Sequence, residues 1–321
     1  MEASAFMDAP RTRRRFLRSA LLAILGLAII FGIALYFRPL WAWRQTTQIW
    51  LRVQGIGSSY AQLGPYRIQY FVGGKGSPVV LLHGLGGEAG DWALSMPALM
   101  RGGFRVYAID LLGYGRSDRP DVDYSIALQS DIVRQFLDRQ GLERADFAGW
   151  SMGGWIALKF ALDHPERVHR VVLYDSAGIS FKPPVDPRLF AARTRQDLRR
   201  LYAALSPRPL HIPQFVARDL LRQAAERGWV VRRSLDSMQA GHDLLDGKLG
   251  AIHAPVLIVW GKQDALIPLS CGEEMHREMP QSLLVALPGC GHLAPVECRR
   301  QTLADTMRFL RADVALVGEL R

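Results

Sequence analysis

The chain has 321 residues, 49% of them hydrophobic and 22% charged, with a formal net charge of +10. That composition supports a large buried core and excludes an intrinsically disordered chain. Eight arginines (Arg11, Arg13, Arg14, Arg15, Arg18, Arg38, Arg44 and Arg52) face only Glu2 and Asp8 in the first 55 residues. The rest of the positive excess is spread without a basic, aromatic-interleaved stretch, which argues against a nucleic-acid partner.

In chain order, residues 1–18 form a basic N-terminal segment and residues 19–37 carry no charge. A bilayer-spanning helix needs roughly 20 apolar residues, so 19–37 is expected to be a single-pass transmembrane anchor. Trp41, Trp43 and Trp50 follow it, where an interface favours tryptophan. The greater positive charge before the span places the N-terminus in the cytoplasm and the globular domain outside it, in the periplasm if the source is bacterial. Arg13-Arg14-Arg15-Phe16-Leu17 also resembles a twin-arginine export signal, which implies the same topology. Arg38-Pro39-Leu40-Trp41 offers no small-x-small cleavage pattern, so the anchor is expected to remain attached. Residues 38–63 are expected to be a juxtamembrane linker, and 64–178 with 251–321 the core of the globular domain.

Within that core, the apolar run Val79-Val80-Leu81-Leu82 leads into His83-Gly84-Leu85-Gly86-Gly87, a strand followed by a glycine-rich loop. His83 is expected to order that loop, Trp92 to pack beneath it, and Asp110 with residues 113–117 to shape the loop after another strand. The run 145–150 then meets Gly149-Trp150-Ser151-Met152-Gly153 and a helix-favouring run at 155–162. A sharp strand-to-helix turn strains the serine backbone, and flanking glycines let strand and helix approach. A strand at 170–174 ends in Asp175, a rival acid that is expected to serve the turn before Ser176-Ala177-Gly178.

The stretch 179–250 far exceeds the usual connection of about 2–6 residues. Leu198, Leu201, Tyr202 and Leu205, then Ala217, Leu220, Leu221 and Ala224, repeat at helical spacing, with Pro207, Pro209 and Pro213 between them. A helical cap with at least two amphipathic helices is expected there, closing an apolar pocket over the core. The β-branched run Pro255-Val256-Leu257-Ile258-Val259-Trp260 reads as a buried parallel strand ending in Gly261-Lys262-Gln263-Asp264. The run 283–287 reads as another, followed by Pro288-Gly289-Cys290-Gly291-His292.

A serine hydroxyl is a weak nucleophile at neutral pH. It needs a base near pKa 7, and that base needs a carboxylate to set its tautomer. Ser151, His292 and Asp264 supply the three roles, each at the end of a strand, where open α/β sheets gather their reactive groups. The developing oxyanion needs preorganised donors, and the backbone N–H groups of Leu85 and Met152 are the candidates.

The stretches 83–87, 110–117, 149–154, 261–264 and 289–292 resemble α/β-hydrolase-fold serine hydrolases, over about four-fifths of the chain. Trp260-Gly261-Lys262-Gln263-Asp264 and the N-terminal anchor are most similar to the membrane-anchored monoacylglycerol lipase and esterase group. The resemblance implies a mostly parallel central sheet with helices on both faces and an inserted cap at 179–250. It implies hydrolysis of carboxylic esters, monoacylglycerols or similar lipid-like molecules, without a cofactor. Epoxide hydrolases and haloalkane dehalogenases share the fold but need aspartate where Ser151 stands. A carbon–carbon bond hydrolase and a small-ester esterase of the same fold are the alternatives, and a catalytically silent membrane-tethered binding module is a third.

Cys271, Cys290 and Cys298 show neither a disulfide framework nor zinc spacing, so no metal is implied. Cys290 is expected to pack in the core. An extracytoplasmic domain would allow one disulfide, whose partners the sequence leaves open. The expected partners are a small-molecule or lipid ester and the membrane. Oligomeric state is not encoded in any recognisable pattern.

Overall fold

The computed structural model describes residues 9–312 and 318–320, so residues 1–8 of the basic N-terminal segment lie outside the described residues. Helix α1 (Ala9–Phe37) is followed directly by α2 (Pro39–Val53). Within α1, Arg15–Phe37 is long and apolar enough to cross a membrane, and its central window buries nothing against the rest of the chain. Proline fits the first helical turn because its missing N–H would be unpaired there, so Pro39 starts α2 as a separate helix.

The linker expected at 38–63 is instead structured. Residues 39–53 are helical, and β1 (Gly57–Leu63) is the edge strand of the sheet, paired antiparallel with β2 (Tyr66–Gly73). Strand β1 escapes sequence reading because only Ala61 and Leu63 are buried in it. One-sided burial at a sheet edge leaves too few apolar residues to mark a strand.

The sheet continues with β3 (Ser77–Leu82), helix α3 (Met96–Arg101), β4 (Phe104–Ile109), α4 (Ile126–Gln140), β5 (Ala145–Trp150), α5 (Met152–Asp163) and β6 (Val168–Tyr174). The cap contributes α6 (Arg195–Leu205) and α7 (Gln214–Gln239). Then come β7 (Val256–Gly261), α8 (Leu269–Glu278), β8 (Ser282–Leu287), a single turn α9 (Ala294–Glu297), α10 (Arg299–Arg311) and β9 (Gly318–Leu320). Strand order is β1-β2-β4-β3-β5-β6-β7-β8-β9, antiparallel from β1 to β4 and parallel through every other pair.

Successive strand residues point to opposite faces. Val79 and Leu81 accordingly join Phe104, Leu257 and Phe309 in one core, while Val80 and Leu82 join Phe136, Phe147 and Phe160 in the other. Burial on both faces explains why the central strands read as continuous apolar runs. The cap helices follow the expected spacing: Leu198, Leu201, Leu205 and Ala217 are buried. A capping box between Thr194 and Asp197 starts α6, and α7 runs on well past Ala224 to Gln239.

Candidate active site

Ser151 sits between β5 and α5 with φ 56° and ψ −117°. Ser151 and Asp175 are the two non-glycine residues with positive φ among the described residues. Such a backbone is costly and is held by its surroundings. Ser151 N donates to Tyr174 O at 2.9 Å, and Ser151 O accepts from Gly154 N at 3.0 Å and Ala177 N at 3.2 Å. The flanking glycines are required by contact: a Cβ on Gly153 would lie 2.2 Å from Leu82 O, and one on Gly149 would lie 2.3 Å from Gly153 O. The turn therefore wedges the serine against the end of β3, where a Cβ on Gly84 would meet Ser151 Cβ at 3.2 Å.

Two neighbouring loops bring the acid and the histidine together. Gln263 N donates to Cys290 O at 2.9 Å and Gly289 N to Gln263 Oε1 at 2.7 Å. A Cβ on Gly261 would lie 2.2 Å from Gly291 O. Asp264 Oδ1 accepts from the N–H groups of Leu266 and Ile267 at 2.8 and 2.9 Å, and Oδ2 meets His292 Nδ1 at 2.8 Å. Three polar contacts orient the carboxylate, and both side chains of the pair are buried. Nδ1 is thus engaged, and Nε2 is the ring nitrogen without a protein partner among the described residues. Among the described residues Ser151 Oγ has no hydrogen-bond partner. The histidine loop is nevertheless tied to the strand-to-helix turn, since Trp150 Nε1 donates to His292 O at 2.8 Å. Contacts between nucleophile and base are commonly looser in free enzymes than in complexes.

The loop after β3 and the start of α5 present the two predicted backbone donors. Met152 N lies in the first turn of α5, where no helical acceptor exists. Among the described residues Leu85 N likewise donates to no protein acceptor. His83 orders this loop as expected: Nδ1 contacts Gly84 O at 2.8 Å and Nε2 accepts from Leu111 N at 3.1 Å. Burial pushes its pKa down to about 4, so it is neutral at pH 7. Asp110 also ties loops, accepting from Ala89 N at 2.6 Å and Arg116 N at 2.7 Å. Trp92 packs against Trp150 and Tyr174.

Asp175 departs from expectation. It does not serve its own turn but accepts from Gly261 N at 2.7 Å, across to the loop that carries Asp264. Its carboxyl is held well above the ordinary range, first by burial and then by the charge of Asp264. Cys290 packs in the core as expected and is also disulfide-bonded to Cys298, with Cα atoms 6.2 Å apart, which settles the pairing left open by the sequence, while Cys271 is the buried free thiol. The bridge ties the histidine loop to the end of α9. Glu297 reinforces that tie by accepting from Gly291 N at 2.7 Å and from Ser206 Oγ of the cap. Sequence reading missed Glu297, because nothing marks a surface-type carboxylate as a loop clamp.

A cavity of about 300 Å³ opens over Ser151, Met152 and Leu85 and is walled by Trp155, Ile179, Phe190, Leu235, Met238 and Leu266. Cap and core thus share an apolar chamber whose floor is the serine. No group of three or more potential metal ligands occurs among the described residues.

The model of the alpha/beta hydrolase family matches residues 79–306. A dihydrolipoyllysine-residue acetyltransferase component of an acetoin cleaving system from Pseudomonas putida is 31% identical over 81% of this chain and 71% of its own length. A 2-hydroxy-6-oxo-6-phenylhexa-2,4-dienoate hydrolase from Burkholderia cepacia is 28% identical, covering 73% of this chain and 88% of that protein. A solved membrane phospholipase A superposes with a TM-score of 0.76 at 26% identity, covering 91% of this chain and 99% of its own.

Proposed function

The chain belongs to the alpha/beta hydrolase family, and from that premise we propose a membrane-anchored serine hydrolase that cleaves carboxylic esters, monoacylglycerols and similar lipid-like molecules. The observation that carries this is the buried, hydrogen-bonded His292–Asp264 pair together with a strained Ser151 on the floor of an apolar chamber. Ser151 Oγ attacks the ester carbonyl while His292 Nε2 takes its proton. The tetrahedral oxyanion is met by the N–H groups of Leu85 and Met152, each worth about 3 kcal/mol in comparable sites. His292 returns the proton to the departing alcohol, leaving an acyl-enzyme. Water, activated by the same imidazole, then resolves it. Asp264 holds the imidazole in the tautomer that presents Nε2.

The chamber's aliphatic and aromatic walls favour a medium or long acyl chain. Similarity to a membrane phospholipase A supports a lipid acyl ester as the scissile group. The exposed apolar length of α1 supports anchoring. A disulfide at Cys290–Cys298 supports an oxidising compartment, hence an extracytoplasmic catalytic domain. The relative that acts on a phenylhexadienoate supports a second reading, carbon–carbon bond hydrolysis at the same serine.

An acyl-chain-length series on the purified protein tests the proposal, together with covalent labelling by a fluorophosphonate. Labelling should disappear in Ser151→Ala, and kcat/KM should rise from short to medium chains. A folded wild type that resists the label would remove the enzyme reading. Cleavage of dienoate acids, with no turnover of any ester, would favour the second reading.

A further inference from the structure

A second cavity, of about 510 Å³, lies beside the chamber over Ser151, and Leu85 and Phe190 line both. It extends from the oxyanion loop and Leu293, next to His292, to Leu40 and Trp43 of α2. Three guanidinium groups line it: Arg44 from α2, Arg119 from the loop after β4, and Arg227 from cap helix α7. Two carboxylates, Glu88 and Asp91, also face it, but both are engaged. Glu88 pairs with Arg44 at 2.7 Å, and Asp91 Oδ2 accepts from Glu88 N at 2.9 Å. Arg227 makes no hydrogen bond or ion pair among the described residues. Arg119 reaches only the carbonyl of Gly115, and its buried Nε has no partner. Burial, and then repulsion among these arginines, lowers the basicity of Arg119 and Arg227. Arg44 is held by Glu88 and by Gln223 Oε1 at 3.1 Å, whereas Arg119 and Arg227 have no ion-pair partner among the described residues, and such crowded cations are costly in a half-enclosed apolar cavity unless an anion joins them.

We propose that this cavity binds the phosphate of a glycerophospholipid or lysophospholipid, so that the substrate's acyl chain fills the chamber over Ser151 while its anionic alcohol side lies under Arg44, Arg119 and Arg227. The proposal rests on ester hydrolysis at Ser151 and narrows its substrate class. A phosphate has oxygens for several guanidinium forks, whereas a carboxylate satisfies one bidentate pair. The lipid source follows from position. One arginine belongs to α2, which starts two residues after the apolar span ends, and Trp41, Trp43, Ile49 and Trp50 of α2 are exposed. Leu94 and Val296 extend that exposed apolar face beside the cavity mouth. Aromatic and aliphatic side chains in such a belt suit the headgroup level of a bilayer.

The test compares two substrates of equal acyl length, a monoacylglycerol and the corresponding lysophosphatidylglycerol, with the full chain in detergent. Wild type should prefer the phosphate-bearing ester, and Arg227→Gln should lower the ratio of the two kcat/KM values by about tenfold, the effect of one lost charge-assisted hydrogen bond. Arg199→Gln, exposed on α6 outside the cavity, should leave the ratio unchanged. An unchanged ratio in folded Arg227→Gln would overturn the proposal. Equilibrium binding of lysophosphatidylglycerol to Ser151→Ala separates the two levels of inference. Arg227-dependent binding without wild-type turnover would sink the ester reading alone, and binding indifferent to Arg227 would sink the anion site. Millimolar inorganic phosphate that competes as well as the lipid would show a free-phosphate site and overturn the lipid assignment.

Discussion

The strand-edge loops around Ser151 and the cap with α2 are built by different means. The first region is held by backbone: glycines at near contact, main-chain hydrogen bonds between loops, and carboxylates such as Asp110 and Asp175 accepting from distant N–H groups. The second is held by apolar side chains and a few polar ties: Leu40 N to Asp219 Oδ2 at 2.9 Å joins α2 to the cap, and Arg44 to Glu88 joins α2 to the core. Backbone constraint gives the sub-ångström placement that proton transfer needs. Side-chain packing can be altered one residue at a time without moving the strand-edge loops, so the proposed chemistry and the proposed selectivity fall in separate regions.

The sharpest attack on the first region is Asp264→Asn. An asparagine amide donates where His292 Nδ1 needs an acceptor, so the imidazole is held in the wrong tautomer. We expect kcat to fall about 10⁴-fold while the fold is retained, as in other triads of this kind. A fall below about tenfold would mean that another carboxylate, with Asp175 first in line, supports the histidine.

A smaller effect concerns Asp110, which accepts from Ala89 N and Arg116 N. Burial raises Asp110 from 3.8 to about 7. The folded chain therefore keeps a proton that the unfolded chain releases above pH 3.8. Stability from this group is greatest at low pH and declines as pH rises from about 4 to about 7. The melting curve of Asp110→Asn should show a shallower decline than wild type over that interval. Comparing the two chains separates Asp110 from His83, whose lowered pKa acts in the opposite direction. Parallel curves would remove the buried carboxyl from the stability account.

The smallest effect is expected in the second region. The Arg44–Glu88 pair is half-buried and links α2 to the loop before α3. Arg44→Gln should cost less than about 1 kcal/mol, a Tm change of no more than about 4 °C. A larger loss would show that α2 is as rigidly built into the core as the strand-edge loops are.

Much of the first region was legible in the chain because its demands are local. A strained serine needs adjacent glycines, and a loop acid or histidine announces itself by following a buried apolar run. The same logic located the cap helices. It failed for β1, whose outer face is exposed. It failed for Asp175, because the N–H it accepts from belongs to a residue far along the sequence.

The glycine-flanked turn at Ser151, the membrane-length apolar segment and the amphipathic helices of the insertion were therefore determined by the sequence itself, through φ/ψ limits and periodic burial that each segment carries alone. Only the tertiary structure decided that Asp175 props the acid loop, that Cys290 pairs with Cys298, and that Arg44, Arg119 and Arg227 face one cavity. Those are relations between segments brought together by folding, and electrostatics acts through space, without regard to separation along the chain.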